Sequence, residues 1–70
     1  MPSSPELRVI RLPEVRTRTG LSRSQLYKLE SEGRFPAHIK LSERASAWLE
    51  HEVDDWIADR IAERDAKAAA

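Results

Sequence analysis

Residues 19–30 read TGLSRSQLYKLE, and this stretch decides how the chain folds. Ser22 is a preferred helix N-cap residue, and Gln25 completes the S-x-x-Q pattern of a capping box. Gly20 is the residue type that ends a preceding helix, and Gly33 is placed to end the new one. Two helices joined by so short a turn predict a helix-turn-helix.

The residues before this stretch predict a short strand and the first helix. Val9 and Ile10 are β-branched, so residues 7–10 are expected to be extended. Pro13 suits the first turn of a helix and Glu14 complements its positive end, which predicts a helix over residues 13–19. Residues 1–6 contain two prolines and two serines and are expected to form a flexible N-terminal arm.

The apolar residues change their period after Gly33. Because proline has no amide hydrogen, Pro36 prevents the helix from continuing. Residues 38–41 (HIKL) and 46–49 (SAWL) alternate apolar with polar or small side chains. This pattern predicts a β-hairpin with Ser42 and Glu43 at its tip, which is either a nucleic-acid-binding wing or an ordinary surface turn.

The last helix has the most regular pattern in the chain. Its apolar residues recur at helical spacing, namely Val53, Trp56, Ile57 and Ile61. Acidic residues crowd its first turns, where they complement the positive helix end, and residues 66–70 are expected to form a frayed tail. Trp48 and Trp56 are expected in the core, because a small domain needs the large area that a tryptophan buries. The fold class is therefore mainly α with a small β-hairpin.

Size and composition argue against several classes of protein. A chain of 70 residues forms one small domain with a core stability of about 3–5 kcal/mol, and it has little room for a deep substrate pocket. No nucleophile–base pair stands out, so no enzyme activity is expected. Without cysteine, and with His38 and His51 lacking companion ligands, neither a metal nor a cofactor is expected. No secretion signal and no run of ~18 apolar residues is present, which favours a cytoplasmic protein without a membrane or a small-molecule ligand as partner.

The formal net charge of zero hides an uneven distribution along the chain. Residues 1–49 carry nine basic and five acidic side chains, a net charge of +4. Residues 50–70 carry three basic and seven acidic side chains, a net charge of −4. Since charges are screened within ~8–10 Å, the basic part can attract phosphate groups independently of the acidic part.

The second helix carries the candidate contacts to DNA. If Leu26 and Leu29 face the core, the exposed side holds basic and polar residues near the helix start, the end that enters the major groove. Arg23 is the candidate for reading a guanine. The candidates for phosphate or additional base contacts are Arg16, Arg18, Ser24, Tyr27, Lys28, Lys40 and Arg44. The alternative is that these are solvated residues on an amphipathic helix.

Residues 11–61 together resemble the AlpA family of prophage-encoded regulators, which belong with winged helix-turn-helix proteins of the MerR and excisionase type. The matching residues are Leu12, Glu14-Val15, Thr19-Gly20-Leu21-Ser22, Ser24 to Tyr27, Gly33-Arg34-Phe35-Pro36, Lys40-Leu41, Arg44, Trp48, Glu52-Val53 and Trp56-Ile57. The resemblance implies a winged helix-turn-helix domain over residues 7–65. It places residues 22–28 in the major groove, which adds Ser22 and Gln25 to the candidate contacts, and makes the hairpin the wing.

The same resemblance implies a bacterial or phage transcriptional regulator that binds double-stranded DNA in the nucleoid. An excisionase-like factor that bends DNA beside an integrase is the alternative within this class. A protein-interaction or antitoxin-like module that uses the acidic last helix is the alternative from another class. Because one domain reads only a few base pairs, the expected further partners are a second copy in a dimer or cooperative array, RNA polymerase or an integrase.

Overall fold

A computed structural model of the protein describes residues 7–69. The predicted N-terminal arm, residues 1–6, and Ala70 lie outside the described residues. The elements in chain order are β1 (Val9–Ile10), α1 (Leu12–Thr19), α2 (Arg23–Ser31), β2 (Ile39–Ser42), β3 (Ala45–Leu49) and α3 (Glu50–Ala69). Three helices and a small antiparallel sheet form a mainly α winged helix-turn-helix, which confirms the predicted fold class.

The turn between α1 and α2 is built by the residues that predicted it. Gly20 ends α1 in the left-handed conformation, with φ at 74°. Ser22 caps α2: its Oγ accepts the Gln25 N–H at 3.2 Å, while Gln25 Oε1 accepts the Ser22 N–H at 2.9 Å. This reciprocal capping box satisfies two amide groups that the first turn of a helix leaves unpaired, and it confirms the predicted start of α2.

We expect Ser22→Ala to lower the free energy of unfolding by about 1 kcal/mol, since N-cap substitutions typically cost that much. Ser24→Ala is the matched control, because Ser24 is exposed within α2 and Gln25 N–H is bonded to Ser22 instead. Chemical denaturation followed by circular dichroism measures both variants. Equal losses in the two variants would contradict the importance of the cap.

The end of α2 closes at Gly33, where the chain turns toward the hairpin. Gly33 has a φ of 73°, and the next amide, Arg34 N–H, donates to the Leu29 carbonyl at 2.8 Å. Beyond it Phe35 is buried in the core. The predicted end of the helix is confirmed, and the buried Phe35 fixes the loop to the core before the first strand of the hairpin.

The sheet is wider than the predicted hairpin and has a tighter turn. Its strand order is β1-β3-β2, and every pair is antiparallel. Ser42 pairs with Ala45, so Glu43 and Arg44 alone form the turn, where the sequence predicted a tip at Ser42 and Glu43. The register shifts between Lys40 and Ser42, which accommodates an extra residue in β2 and shortens the turn to two residues.

The core lies between the sheet and the three helices. Its buried residues are Ile10, Val15, Leu26, Phe35, Trp48 and Val53, with Trp56 half-buried against them, so both tryptophans contribute to the core as predicted. Helix α3 continues through residues 66–69, for which the sequence predicted fraying, and all of these side chains are exposed. Within residues 7–69 no helix has the length and apolar character needed to cross a membrane.

Candidate nucleic-acid interface

A groove between α2 and the hairpin collects arginines from three separate elements. This wing groove has a volume of about 250 Å³ and is lined by apolar residues at its base. Its polar lining residues are Arg11, Arg23, Tyr27, Arg44 and Ser46. Three guanidinium groups and two hydroxyl groups on one concave surface provide hydrogen-bond donors suited to an anion such as a phosphate.

Each arginine reaches the wing groove because of its place in the backbone. Arg11 is the N-cap residue of α1 and has an extended conformation, with φ −90° and ψ 169°. Arg23 is the first residue of α2, and its guanidinium carbon lies 5.6 Å from the centre of the Tyr27 ring one turn later. Arg44 occupies the two-residue turn of the hairpin. The groove is therefore assembled by the tertiary fold and is not a local motif.

A second groove runs along the other side of α2, between that helix and α1. This turn groove has a volume of about 510 Å³ and contains the predicted contact residues Arg16, Ser22 and Gln25. Ser22 and Gln25 already use side-chain oxygens in the capping box, while the amide nitrogen of Gln25 is left to donate elsewhere. Ser24 and Lys28 are exposed on the part of α2 between the two grooves. Residues from α1, α2 and the hairpin thus form one continuous polar surface.

The tip of the hairpin is organised by Lys40. Its Nζ donates to the backbone carbonyl of Glu43 at 3.0 Å, which ties the side chain of β2 to the turn. Lys40 remains exposed near the tip, where Arg44 is exposed as well. The carboxylate of Glu43 is the acidic group beside them. The predicted wing residues therefore lie together at the end of the hairpin.

Arg18 lies apart from these residues. Its guanidinium bridges α1 to the start of α3, with Nη2 2.6 Å from Glu14 Oε2 and 2.7 Å from Glu50 Oε2, and Nη1 3.0 Å from Asp54 Oδ1. The hydrogen bond to Glu50, and then that to Glu14, raises the pKa of Arg18 further above its ordinary value. The sequence predicted that Arg18 contacts a nucleic-acid backbone, but these three carboxylates occupy its donors.

The same ion pairs revise the explanation of the acidic residues at the start of α3. The sequence-based interpretation of that cluster favours helix capping over the binding of a cation or a partner. In the structure Glu50 and Asp54 bind Arg18, which links α3 to the first helix of the helix-turn-helix. This contact could not be predicted from local sequence patterns, because Glu50 and Asp54 lie 32 and 36 residues after Arg18 in the chain.

Eight of the nine arginines divide into two groups by their ion pairs, and the ninth, Arg8, lines neither groove and has no salt bridge among residues 7–69. Arg18, Arg34, Arg60 and Arg64 each have a carboxylate partner. Within the part of the chain that the structure describes, no carboxylate forms a salt bridge with any arginine of the two grooves, that is Arg11, Arg16, Arg23 and Arg44. The unneutralised positive charge is therefore concentrated on the surface around the N-terminal half of α2.

Two functional features were absent from the sequence-based candidates. Arg11 was not predicted because only the packing of α1 against the sheet brings it to the wing groove. His38 was considered only as a metal ligand, whereas its ring Nδ1 lies 2.8 Å from Glu30 Oε2. Among residues 7–69 no three histidine or acidic side chains group together as a metal site. The basic residue type of Arg11, shortly before the predicted first helix, was the available sequence signal for this residue.

Comparison with known proteins identifies relatives of this chain. The family described as "Prophage CP4-57 regulatory protein (AlpA)" matches residues 8–61. The chain is 44% identical over 64 residues to "Uncharacterized protein ORF88" of Enterobacteria phage P4, covering 91% of this chain and 73% of that protein. It is 30% identical over 60 residues to "DNA-binding transcriptional activator AlpA" of Escherichia coli (strain K12), covering 77% of this chain and 86% of that protein. No solved structure matches it. The family match covers most of the chain, so the protein belongs to the AlpA family, as its resemblance predicted.

Proposed function

We propose that this protein is a sequence-specific, duplex DNA-binding transcriptional regulator of the phage or prophage type. Helix α2 and the residues around it, 22–32, enter the major groove, and the hairpin, residues 38–49, acts as the wing. The protein works in the bacterial cytoplasm at the nucleoid and has no catalytic activity. The relative named as a DNA-binding transcriptional activator supports this proposal.

The observation that carries the proposal is the convergence of Arg11, Arg23 and Arg44 in the wing groove. Their guanidinium groups come from the start of α1, the start of α2 and the hairpin turn. A DNA strand that follows the edge of the major groove would pass between α2 and the wing, where Arg11 and Arg44 neutralise its phosphates and Arg23 reaches the neighbouring base edges. Unpaired arginines on a concave surface are costly to retain for stability alone, since like charges repel one another.

The residues on and around α2 have two different roles in the proposed complex, base contacts and phosphate contacts. Arg23, at the helix start, is suited to a bidentate contact with guanine O6 and N7, because N-terminal residues of a recognition helix reach the base edges. Ser24 is exposed beside it and adds a second base contact. Arg16, Tyr27, Lys28, Lys40 and Arg44 supply phosphate contacts, which position the helix and provide most of the affinity. Arg11 joins this group, and Arg18 is assigned to holding α1 against α3.

Selection of bound fragments from random duplex DNA tests the proposal. A sequence-specific regulator enriches a short common motif. A palindromic product indicates a dimer and tandem motifs indicate a cooperative array. The absence of any enriched motif, together with binding that does not weaken as salt is raised, would overturn the proposed function.

Arg23→Ala and Lys28→Ala are expected to have different effects on DNA binding. Loss of a bidentate base contact removes about 1–3 kcal/mol of discrimination, so Arg23→Ala should flatten the preference for the selected sequence. Lys28→Ala should weaken binding to all sequences by a similar factor, because a phosphate contact carries no sequence information. Titrations with the selected duplex and a scrambled duplex measure both effects. The opposite pattern would reverse the two roles.

An excisionase-like role makes a further prediction about DNA shape. A directionality factor bends DNA beside an integrase, whereas a promoter-binding regulator acts through RNA polymerase. Gel mobility of circularly permuted fragments that contain the selected site measures the bend. A bend well above that of the free fragment would support the excisionase-like role, and an unbent site would argue against it.

The interaction-module alternative depends on the acidic residues of α3. Arg18 binds Glu50 and Asp54 within the chain, and Asp55 is the exposed acidic residue of that turn that forms no salt bridge among residues 7–69. If the protein acts through an acidic surface, Asp55→Lys should abolish its activity on a reporter gene while Arg23→Ala should not. The proposed DNA-binding function predicts the reverse.

A further inference from the structure

A partly buried carboxylate connects the recognition helix to the wing. Glu30 lies in the last turn of α2, and its side chain is only 13% exposed. Its Oε2 accepts the backbone N–H of His38 at 2.6 Å and lies 2.8 Å from His38 Nδ1. Its Oε1 lies 3.0 Å from the same Nδ1. Both oxygens of one carboxylate are therefore used on a single residue, the one that immediately precedes β2.

The chemistry of this contact fixes both the backbone and the ring of His38. Carboxylate oxygens accept hydrogen bonds, so this contact fits the tautomer in which Nδ1 of His38 carries the proton and donates it. The backbone N–H donates to the same charged group, and hydrogen bonds to an ionised acceptor are about twice as strong as neutral ones. Together these donors determine where the strand begins and how it leaves the loop.

Aromatic side chains complete the connection. The His38 ring lies edge-on to Tyr27 and to Trp48, with ring centres 6.2 and 5.7 Å apart. Tyr27 belongs to α2 and lines the wing groove, and Trp48 belongs to β3. His38 is thus held between one side chain from the recognition helix and one from the hairpin.

Few other polar contacts connect these two elements. Among residues 7–69 no backbone hydrogen bond joins α2 to either strand of the hairpin. The loop between them is held by α3 and β3, since Trp56 Nε1 donates to the Arg34 carbonyl at 2.8 Å and Trp48 Nε1 donates to the Pro36 carbonyl at 3.1 Å. The Glu30–His38 contact is therefore well placed to set the hairpin relative to α2 itself.

We infer that Glu30 and His38 are positioning residues that couple the wing to the recognition helix, so that Arg44 and Arg23 contact the same duplex in a fixed relation. This inference rests on the proposed function, because it concerns how two parts of that surface act together. Neither residue touches DNA in this arrangement. Their effect on binding is transmitted through the position of the hairpin.

A double-mutant cycle tests the coupling. In the wild-type background Arg44→Ala should weaken binding to the selected duplex about tenfold, as expected for one charge-assisted contact. In the Glu30→Ala background the same change should cost less than about twofold, since the wing is no longer held in place. Arg23→Ala is the control, because its cost should be similar in both backgrounds.

Equal costs of Arg44→Ala in the two backgrounds would overturn the inference. If neither Arg23→Ala nor Arg44→Ala changes wild-type binding, the proposed function fails and the inference fails with it. Glu30→Gln keeps an oxygen that accepts the His38 N–H but removes the charge. In this background Arg44→Ala should therefore weaken binding by a factor between those in the wild-type and Glu30→Ala backgrounds. Should Glu30→Ala not fold, the Glu30→Gln cycle carries the same test, and an unchanged cost there also overturns the inference.

A distance measurement tests the coupling without DNA. The chain contains no cysteine, so Ser31→Cys on α2 and Glu43→Cys in the hairpin turn introduce two unique sites for spin labels. A narrow distribution of label distances is expected in the otherwise wild-type protein, and a broad one is expected with Glu30→Ala or Glu30→Gln added. An unchanged distribution in both variants would overturn the positioning role, whatever the DNA titrations show.

Discussion

Replacing Arg11, Arg23 and Arg44 together with alanine is expected to weaken binding to the selected duplex by at least about a thousandfold. A hydrogen bond to a charged group contributes about 1.5 kcal/mol or more, and about 1.4 kcal/mol corresponds to a factor of ten in the dissociation constant. The three side chains line one groove, so their contacts are lost from a single stretch of the DNA strand. The measurement is a fluorescence anisotropy titration at fixed salt.

The same variant should also respond less to salt. Each phosphate that a protein neutralises contributes about 0.9 to the slope of log K against log salt, because condensed counterions are released from the DNA. If Arg11 and Arg44 contact phosphates while Arg23 contacts a base, the slope should become shallower by about 1.8. A slope that does not change would mean that these side chains act through the fold and not through phosphate contacts.

A matched control removes three basic side chains from helix α3. Arg60, Arg64 and Lys67 are exposed, and Arg60 and Arg64 pair with Glu63 and Asp65. Their combined replacement by alanine changes the net charge by the same amount as the wing-groove variant. We expect affinity to fall less than about tenfold, through the weaker long-range field alone. A loss as large as that of the wing-groove variant would place the DNA on a different face.

The elements of this fold that sequence predicted well are those specified by local chemistry. Ser22 and Gln25 bond to each other across three residues, and Gly20 and Gly33 adopt the positive φ that ends a helix. Each feature depends on neighbours within one turn of the chain, so its residue types are sufficient to indicate it. The helix-turn-helix can therefore be predicted from the sequence without knowledge of the tertiary structure.

The features that sequence did not predict depend on residues far apart in the chain. Arg18 looked like a free cation beside the recognition helix until the fold brought Glu50 and Asp54 to it. Arg11 reaches the wing groove only when α1 packs against β3. The two-residue turn requires a shift in strand register, and no residue type marks that shift in the sequence.

These two kinds of feature have different roles in the proposed interface. Capping residues close in sequence determine where the recognition helix begins and ends. Contacts between residues far apart in sequence determine which basic side chains lie on the same surface as that helix. The candidate residues Arg16, Arg23 and Arg44 line the two grooves without a salt bridge to any of residues 7–69. Arg18 lies outside the grooves and pairs with carboxylates. A charge near a recognition helix is therefore a candidate contact only after its possible ion-pair partners have been located.

Trp48→Ala is expected to have the largest effect on stability. Trp48 is 1% exposed in the central strand of the sheet, and its Nε1 donates to the Pro36 carbonyl at 3.1 Å. Truncating a buried tryptophan to alanine costs about 3–5 kcal/mol, because the removed ring leaves a cavity that the surroundings fill only in part. A core of this size supplies about 3–5 kcal/mol in total, so the variant should be largely unfolded at 25 °C.

Two further variants grade the effect of the buried ring. Ile61→Ala also removes a large apolar side chain, but Ile61 is 47% exposed on α3, so its loss should cost less than about 1 kcal/mol. Trp48→Phe keeps a six-membered aromatic ring in the core but removes both the Nε1 donor and the volume of the pyrrole ring, so it should fold with a melting temperature between those of the wild type and Trp48→Ala. Thermal unfolding followed by circular dichroism measures all three. A cooperative melt of Trp48→Ala close to that of the wild type would show that the sheet and the helix-turn-helix are held together by contacts other than this ring.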